Sequence, residues 1–159
     1  MYTKAAFSIL LALALTSTSR AASSAMVKNL CSTTVWITSI DSHGGPTTSL
    51  QPGQTWSEEL HFDPVTGVAI KVTTTKNGLA TGKPEIDFTY TLNQPEGMVY
   101  YDLSTVNKMD APFTNGQLLV TTPSVDCPSI SWPNSRQPPD DRTEACQITD
   151  ILLTLCAPL

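Results

Sequence analysis

Hydrophobic and polar residues alternate along most of this chain with a period of two, and the 3.6-residue repeat of an amphipathic helix does not recur. The clearest stretch is Ile86 to Leu92. Ile86, Phe88, Tyr90 and Leu92 share one parity, and Asp87, Thr89 and Thr91 share the other. Successive side chains of a strand point to opposite faces, so this pattern predicts a half-buried strand. Val68 to Thr74 repeats it, with Val68, Ile70 and Val72 set against Lys71 and Thr73. Trp56, Glu58 and Leu60 alternate with Ser57 and Glu59. Further strands are predicted at Val27 to Leu30, Thr34 to Ile40, Met98 to Leu103, Gln117 to Thr122 and Ile148 to Leu155; the last also suits a short helix. Turn segments such as Leu50-Gln51-Pro52-Gly53 and Gln94-Pro95-Glu96-Gly97 separate them, because Pro presets φ and Gly accepts positive φ. Residues 123–143 are rich in Pro, Ser, Asp and Asn and read as a long irregular loop, since Pro cannot join a central ladder. Short strands at this spacing predict an all-β fold, an antiparallel β-sandwich.

The first residues depart from this alternation. Lys4 precedes an apolar run, AAFSILLALAL, and a Ser/Thr/Ala stretch follows it. Residues 1–21 therefore read as a signal peptide, with cleavage at Ala21 or as late as Ala25, and residues 26–159 as one secreted domain. The apolar run is shorter than the roughly 20 residues of a membrane helix, so no membrane span is expected. Loss of Lys4 and Arg20 with the leader takes the formal charge from −5 to −7. An acidic surface offers no footprint for nucleic acid, and it suits neutral or basic partners such as carbohydrate or cationic protein surfaces. A monomer is expected.

Four cysteines follow the leader, which implies bridges formed in an oxidising compartment. They allow three pairings. Cys31–Cys156 with Cys127–Cys146 is favoured, because the first would tie the opening strand to the closing one and the second would clip the Pro-rich loop. The histidines, His43 and His61, stand far apart in sequence without metal-ligand spacing, so neither a metal nor any other cofactor is expected.

Several segments, in order, resemble thaumatin-like proteins. Asn29-Leu30-Cys31 leading into Val35-Trp36 resembles the opening of that family, and Gly53-Gln54-Thr55-Trp56 its next turn and strand. Asp87-Phe88 through Leu92-Asn93, Tyr101-Asp102-Leu103-Ser104 and Leu155-Cys156-Ala157-Pro158 are similar to later family segments. The closer resemblance is to the Blastomyces yeast-phase-specific protein family of small secreted fungal proteins. It implies a thaumatin-like antiparallel sandwich with a Pro-rich, disulfide-clipped loop. It also supports the pairing of Cys31 with Cys156, the first and last cysteines.

The resemblance further implies where a site would lie. Two acidic positions of the family's cleft fall on Asp87 and Asp102, and the third falls on Asn107, an amide. The binding candidates are thus Asp87, Asp102 and Asn107, with Tyr101 and Trp132 as aromatic contacts. Trp36, Trp56 and Tyr90 alternate with polar neighbours and are expected in the core. Tyr100 and Tyr101 are adjacent, so one of them must face outward. The expected function is non-catalytic binding at the fungal cell wall or a host surface, with β-glucan as one ligand. The alternatives are weak β-1,3-glucan hydrolysis by Asp87 and Asp102, and a structural or antigenic secreted protein with no small ligand.

Overall fold

The computed structural model describes residues 22–159, so the leader expected at 1–21 lies outside the described residues. Eleven strands run in chain order: β1 (Ser24–Asn29), β2 (Val35–Ile40), β3 (Thr47–Leu50), β4 (Thr55–Glu59), β5 (Val68–Thr73), β6 (Glu85–Asn93), β7 (Met98–Val106), β8 (Gln117–Thr121), β9 (Ile130–Trp132), β10 (Glu144–Gln147) and β11 (Ile151–Ala157). Three short 3-10 turns are the only helical elements among the described residues. The strands form a five-stranded sheet in the order β4-β1-β11-β8-β9 and a six-stranded sheet in the order β10-β7-β6-β5-β2-β3.

The sheets close on one core of alternating strand residues. Ile70 and Val72 of β5, Ile86 and Phe88 of β6, and Leu103 of β7 meet Val27 of β1, Leu118 and Val120 of β8, and Leu153 of β11. Aromatic burial is large, since Phe88, Tyr90, Tyr101, Phe113 and Trp132 are all fully enclosed. Pairing is antiparallel throughout except between β1 and β11, which run parallel in the register Ala25↔Ile151 to Asn29↔Leu155. No hairpin can close a parallel pair, so nearly the whole domain forms the connection between these strands.

A disulfide secures that ladder. Cys31 and Cys156 are bonded, with Cα atoms 5.0 Å apart and a sequence separation of 125. Cys156 lies where the β8–β11 register shifts between Thr154 and Ala157, and its φ is 55°. Gly116 packs against this bulge at φ 108°, and a Cβ there would come within 2.5 Å of the Ala157 carbonyl. Below the disulfide, Asn29 is fully buried. Its Nδ2 donates to the carbonyls of Thr33 and Leu50, each at 2.9 Å, and its Oδ1 accepts from the Cys31 N–H at 3.0 Å. Leu50 ends β3, so this amide links the two sheets. Glu58 of β4 makes a second link, accepting at Oε1 from Ser39 at 2.9 Å and from the Tyr90 hydroxyl at 3.0 Å. The second disulfide, Cys127–Cys146, ties the segment after β8 to β10 across the sandwich.

The segment at 123–143 is more ordered than its composition suggests. Ile130–Trp132 pairs with β8 as an edge strand, in the register Leu118↔Trp132 to Val120↔Ile130. A three-residue strand set between Pro128 and Pro133 is too short for periodicity to register, although Ile130 and Trp132 do alternate with exposed Ser131. Strand β3 also escaped the pattern, because Thr47, Thr48 and Ser49 at a sheet edge are all exposed.

Chain-entropy arithmetic sets an order of stability losses. Replacing Cys31 and Cys156 together by Ala is expected to cost about 5 kcal/mol, and replacing Cys127 and Cys146 about 3 kcal/mol, as read from urea midpoints. Asn29→Leu keeps the volume but strands the Leu50 carbonyl and the Cys31 N–H. It should cost about 3 kcal/mol on the same readout, and a loss under about 1 kcal/mol would contradict the cross-sheet role given to this amide.

Candidate functional site

The residues singled out from sequence sit mainly on β6 and β7. The register pairs Asp87 with Ser104 and Thr89 with Asp102. Residues that pair across strands share a face, so Asp87 and Asp102 are diagonal neighbours on the outer face of the six-stranded sheet, with Cβ atoms roughly 7 Å apart. The structure therefore brings these two together. Asn107 is not with them. It lies past the end of β7 at φ 57°, exposed, with its Nδ2 donating to the Gly82 carbonyl at 3.2 Å. The last four residues of β7 separate it from Asp102, a span of roughly 16 Å along the chain.

The two aromatic candidates are core side chains rather than contacts. Tyr101 is 1% exposed, and its hydroxyl donates to the Pro128 carbonyl. Trp132 is also 1% exposed, with its indole N–H on Asp141 Oδ1 at 2.9 Å. Strand parity explains Tyr101: it shares a face with Val99 and Leu103, all three buried. Tyr100 is the outward member of the pair at 38% exposure, beside Asp102 on the polar face.

The chemistry of Asp87 is set by two residues that sequence reasoning did not connect to it. Lys71 of β5 stands directly opposite Asp87 in the β5–β6 register. Its Nζ lies 3.0 and 3.2 Å from the two Asp87 oxygens and 2.9 Å from Glu85 Oε1. Burial alone would lower the Lys71 pKa, but hydrogen bonds and charge from Glu85 and Asp87 outweigh it, and the value is raised. Burial pushes the Asp87 carboxyl up, and Lys71 offsets only part of that rise. Asp102 is also raised, first by burial and further by the Asp141 charge, against the Leu103 N–H. Its Oδ1 accepts from that N–H at 2.9 Å and its Oδ2 from Thr143 at 3.5 Å. Lys71 was legible as an outward residue of β5; its partner required the register.

Two other polar clusters flank this face. Asp140, Asp141 and Glu144 line a cleft of about 270 Å³ with Ser129, Pro138 and Arg142. Arg142 Nε pairs with Glu144 at 3.2 Å. His43 and His61, read as lacking ligand company, instead converge on Asp41. His43 Nδ1 is 3.7 Å from Oδ1, and His61 Nε2 is 3.5 Å from Oδ2. Asp63 lies beside them, buried, accepting the Ser42 hydroxyl and the N–H groups of Thr66, Val65 and Ser42. The Ser42 hydroxyl foremost, then the Thr66 N–H, hold its carboxyl well below the usual carboxylate range.

Comparison with known proteins bears on the architecture. A family model described as Bys1, Blastomyces yeast-phase-specific protein, matches residues 12–157. The chain is similar to the crystal structure of the protein elicitor MoHrip2 from Magnaporthe oryzae at 29% identity and a TM-score of 0.66, covering 86% of this chain and 100% of that one. It also resembles the thaumatin-like xylanase inhibitor TLXI at 16% identity and a TM-score of 0.50, covering 84% of this chain and 99% of that one, which shows a shared thaumatin-like fold. No curated protein matches the chain.

Removal of Lys71 tests the electrostatics of the face. A carboxyl whose native pKa lies above its unfolded value weakens the fold as pH rises through the native value. Without Lys71 the Asp87 value climbs further, so Lys71→Met is expected to cost about 2 kcal/mol at neutral pH. That difference should shrink as pH falls through the raised Asp87 values, above the ordinary carboxylate range, and be largely gone by about pH 4. Urea unfolding of both proteins across this range is the measurement, and a difference independent of pH would contradict it.

Proposed function

The chain belongs to the Blastomyces yeast-phase-specific protein family, and we propose that it is a secreted, non-catalytic fungal protein whose outer β6–β7 face binds a neutral cell-wall polysaccharide of the β-glucan type. The observation that carries this reading is the state of Asp87. Both of its oxygens already accept from Lys71. A glycosidase needs a carboxyl free to deliver a proton to the leaving oxygen and a second carboxyl poised across the bond. Asp87 is committed to an ion pair instead, and Asp102 is bonded to its own strand.

What the face offers is hydrogen bonding and one aromatic surface. Thr89, Thr91, Asp102 and Ser104 present hydroxyl and carboxylate oxygens in strand register, and Tyr100 exposes part of a ring beside them. Sugar hydroxyls pair with such oxygens, and the apolar face of a pyranose packs on an aromatic ring. The two disulfides suit an oxidising compartment, in keeping with an exported chain. Likeness to a fungal protein elicitor supports action outside the cell.

Sedimentation with insoluble β-1,3-glucan, with chitin as comparison, tests the proposal. The protein is expected to co-sediment with the glucan and to release no reducing sugar. Tyr100→Ala should weaken retention about tenfold, corresponding to about 1.4 kcal/mol. Failure to sediment with the glucan would overturn the reading in favour of a host-surface or structural role. Sugar release that disappears in Asp102→Asn would overturn it in favour of hydrolysis.

A further inference from the structure

We propose that one end of the sandwich is a binding site for a carboxylated polysaccharide, a polyuronate, held by Arg136, Lys108, Lys83 and Lys76. Strand pairing defines that end. Thr73 stands opposite Glu85, Glu85 opposite Val106, Gln117 opposite Ala157 and Leu118 opposite Trp132. Segments 74–84, 107–116 and 133–137, which follow β5, β7 and β9, therefore emerge together. Hydrogen bonds join them into one surface. Asn107 Nδ2 donates to the Gly82 carbonyl at 3.2 Å, the Thr74 hydroxyl to Asp110, and the Ser135 hydroxyl to the Phe113 carbonyl.

The first observation is charge segregation. These segments carry Lys76, Lys83, Lys108 and Arg136, all exposed, against a single carboxylate side chain, Asp110. Asp110 already accepts from the Thr74 hydroxyl and the Ala111 N–H. The lysine and arginine ion pairs among the described residues engage Lys71 and Arg142 and none of these four cations. Loops 41–46, 60–67, 94–97, 122–129 and 148–150 lie at the opposite end. They carry Asp41, Asp63, Glu96, Asp126 and Asp150 and neither lysine nor arginine. The net acidic charge thus conceals a cationic pole.

The second observation is a cavity of about 490 Å³ at that pole, lined by Met109, Thr114, Asn134, Ser135 and Arg136. Pockets for small ligands span roughly 300–1,000 Å³. A guanidinium holds a carboxylate through two parallel N–H bonds. The Asn134 amide suits ring hydroxyls, and so does the Thr114 oxygen, whose own proton goes to the Ala111 carbonyl. Met109 adds an adaptable apolar surface for the ring itself. The third observation is backbone. Asn107 and Lys108 have φ of 57° and 72°, and Asn134 and Ser135 both 52°. Consecutive non-glycine residues in the left-handed region are uncommon, and such positions collect at ligand sites.

Charge density decides among polyanions. A nucleic acid or an anionic bilayer presents dense charge that the acidic remainder of this protein repels. A uronic-acid chain carries one carboxylate per ring, a spacing suited to cations on separate loops. The site lies apart from the β6–β7 face and does not rest on that reading.

Calorimetric titration of the tag-free, disulfide-bonded protein with calcium-free polygalacturonate tests the proposal. Binding is expected, and it should weaken as salt rises from about 0.05 to about 0.2 M. The methyl-esterified polymer, whose rings carry no charge, should not bind. Arg136→Ala should lower the affinity about tenfold, and Arg136→Lys should restore it only in part, because an ammonium lacks the planar fork. Both should keep the melting temperature, since Arg136 is exposed. Lys83→Ala with Lys108→Ala should also cost about tenfold, and Arg142→Ala should change nothing. Absence of binding, equal binding of the esterified polymer, equal binding by Arg136→Ala, or tighter binding to phosphatidylglycerol vesicles or duplex RNA would each overturn the assignment.

Discussion

The parallel ladder between β1 and β11 is the constraint on which the rest of the sandwich depends. It joins the two ends of the domain, so every other strand lies inside the loop it closes. Bringing such distant segments together is entropically expensive, and their contacts reward the chain only once the intervening strands are in place. The Cys31–Cys156 bond removes part of that entropy from the unfolded state. With the ladder closed, β1 gains β4 on its other edge and β11 gains β8. Asn29 lies at the end of the same ladder and passes the constraint to the second sheet through the Leu50 carbonyl. A buried amide with its donors and acceptor satisfied specifies one relative placement of the sheets, where apolar packing alone would tolerate several.

Strand parity was legible in the sequence, and which parity faces inward was legible where apolar residues filled it. Val68-Ile70-Val72 and Ile86-Phe88-Tyr90-Leu92 met that condition, and all seven are buried. Val99, Tyr101 and Leu103 met it too, but the aromatic type of Tyr101 was weighed as a ligand contact ahead of the parity it shares with its neighbours. Trp132 was obscured differently. Its strand is three residues long and lies among prolines, so neither period nor composition revealed that it packs on β8. Edge strands such as β3 carry little hydrophobic signal, because only one side of their ladder is paired and their side chains meet water.

The site was legible as residue types but not as pairs. Asp87 and Asp102 each read as outward strand residues, and the β6–β7 register places them as neighbours. Lys71 changes what that neighbourhood can do, and only the β5–β6 register puts it opposite Asp87. The histidines show the same limit. His43 and His61 belong to separate loops, and the hydrogen bond from His61 to Tyr90 runs to a strand 29 residues further along the chain. Long-range pairing of this kind is what β topology creates and what a linear pattern omits.

The location of the carboxylates argues for recognition over catalysis on physical grounds. Proton transfer to a glycosidic oxygen gains from an enclosed site, where water is excluded and fixed dipoles act at low dielectric. Asp102 instead lies on a sheet face near the exposed Tyr100 ring. Asp87, the more enclosed of the two, has its charge matched by a lysine. Its raised pKa reflects the burial of an ion pair within the strand ladder, and the same burial removes it from a ligand's reach. In the proposed reading, this face would discriminate among sugars by the spacing of its hydroxyl and carboxylate oxygens, because paired β-strands repeat that spacing regularly. Rigidity comes from the core beneath, where Phe88, Tyr90, Tyr101 and Leu103 pack under the same two strands. The buried Tyr101 therefore helps to fix the strand that presents Tyr100 and Asp102 to the proposed binding face.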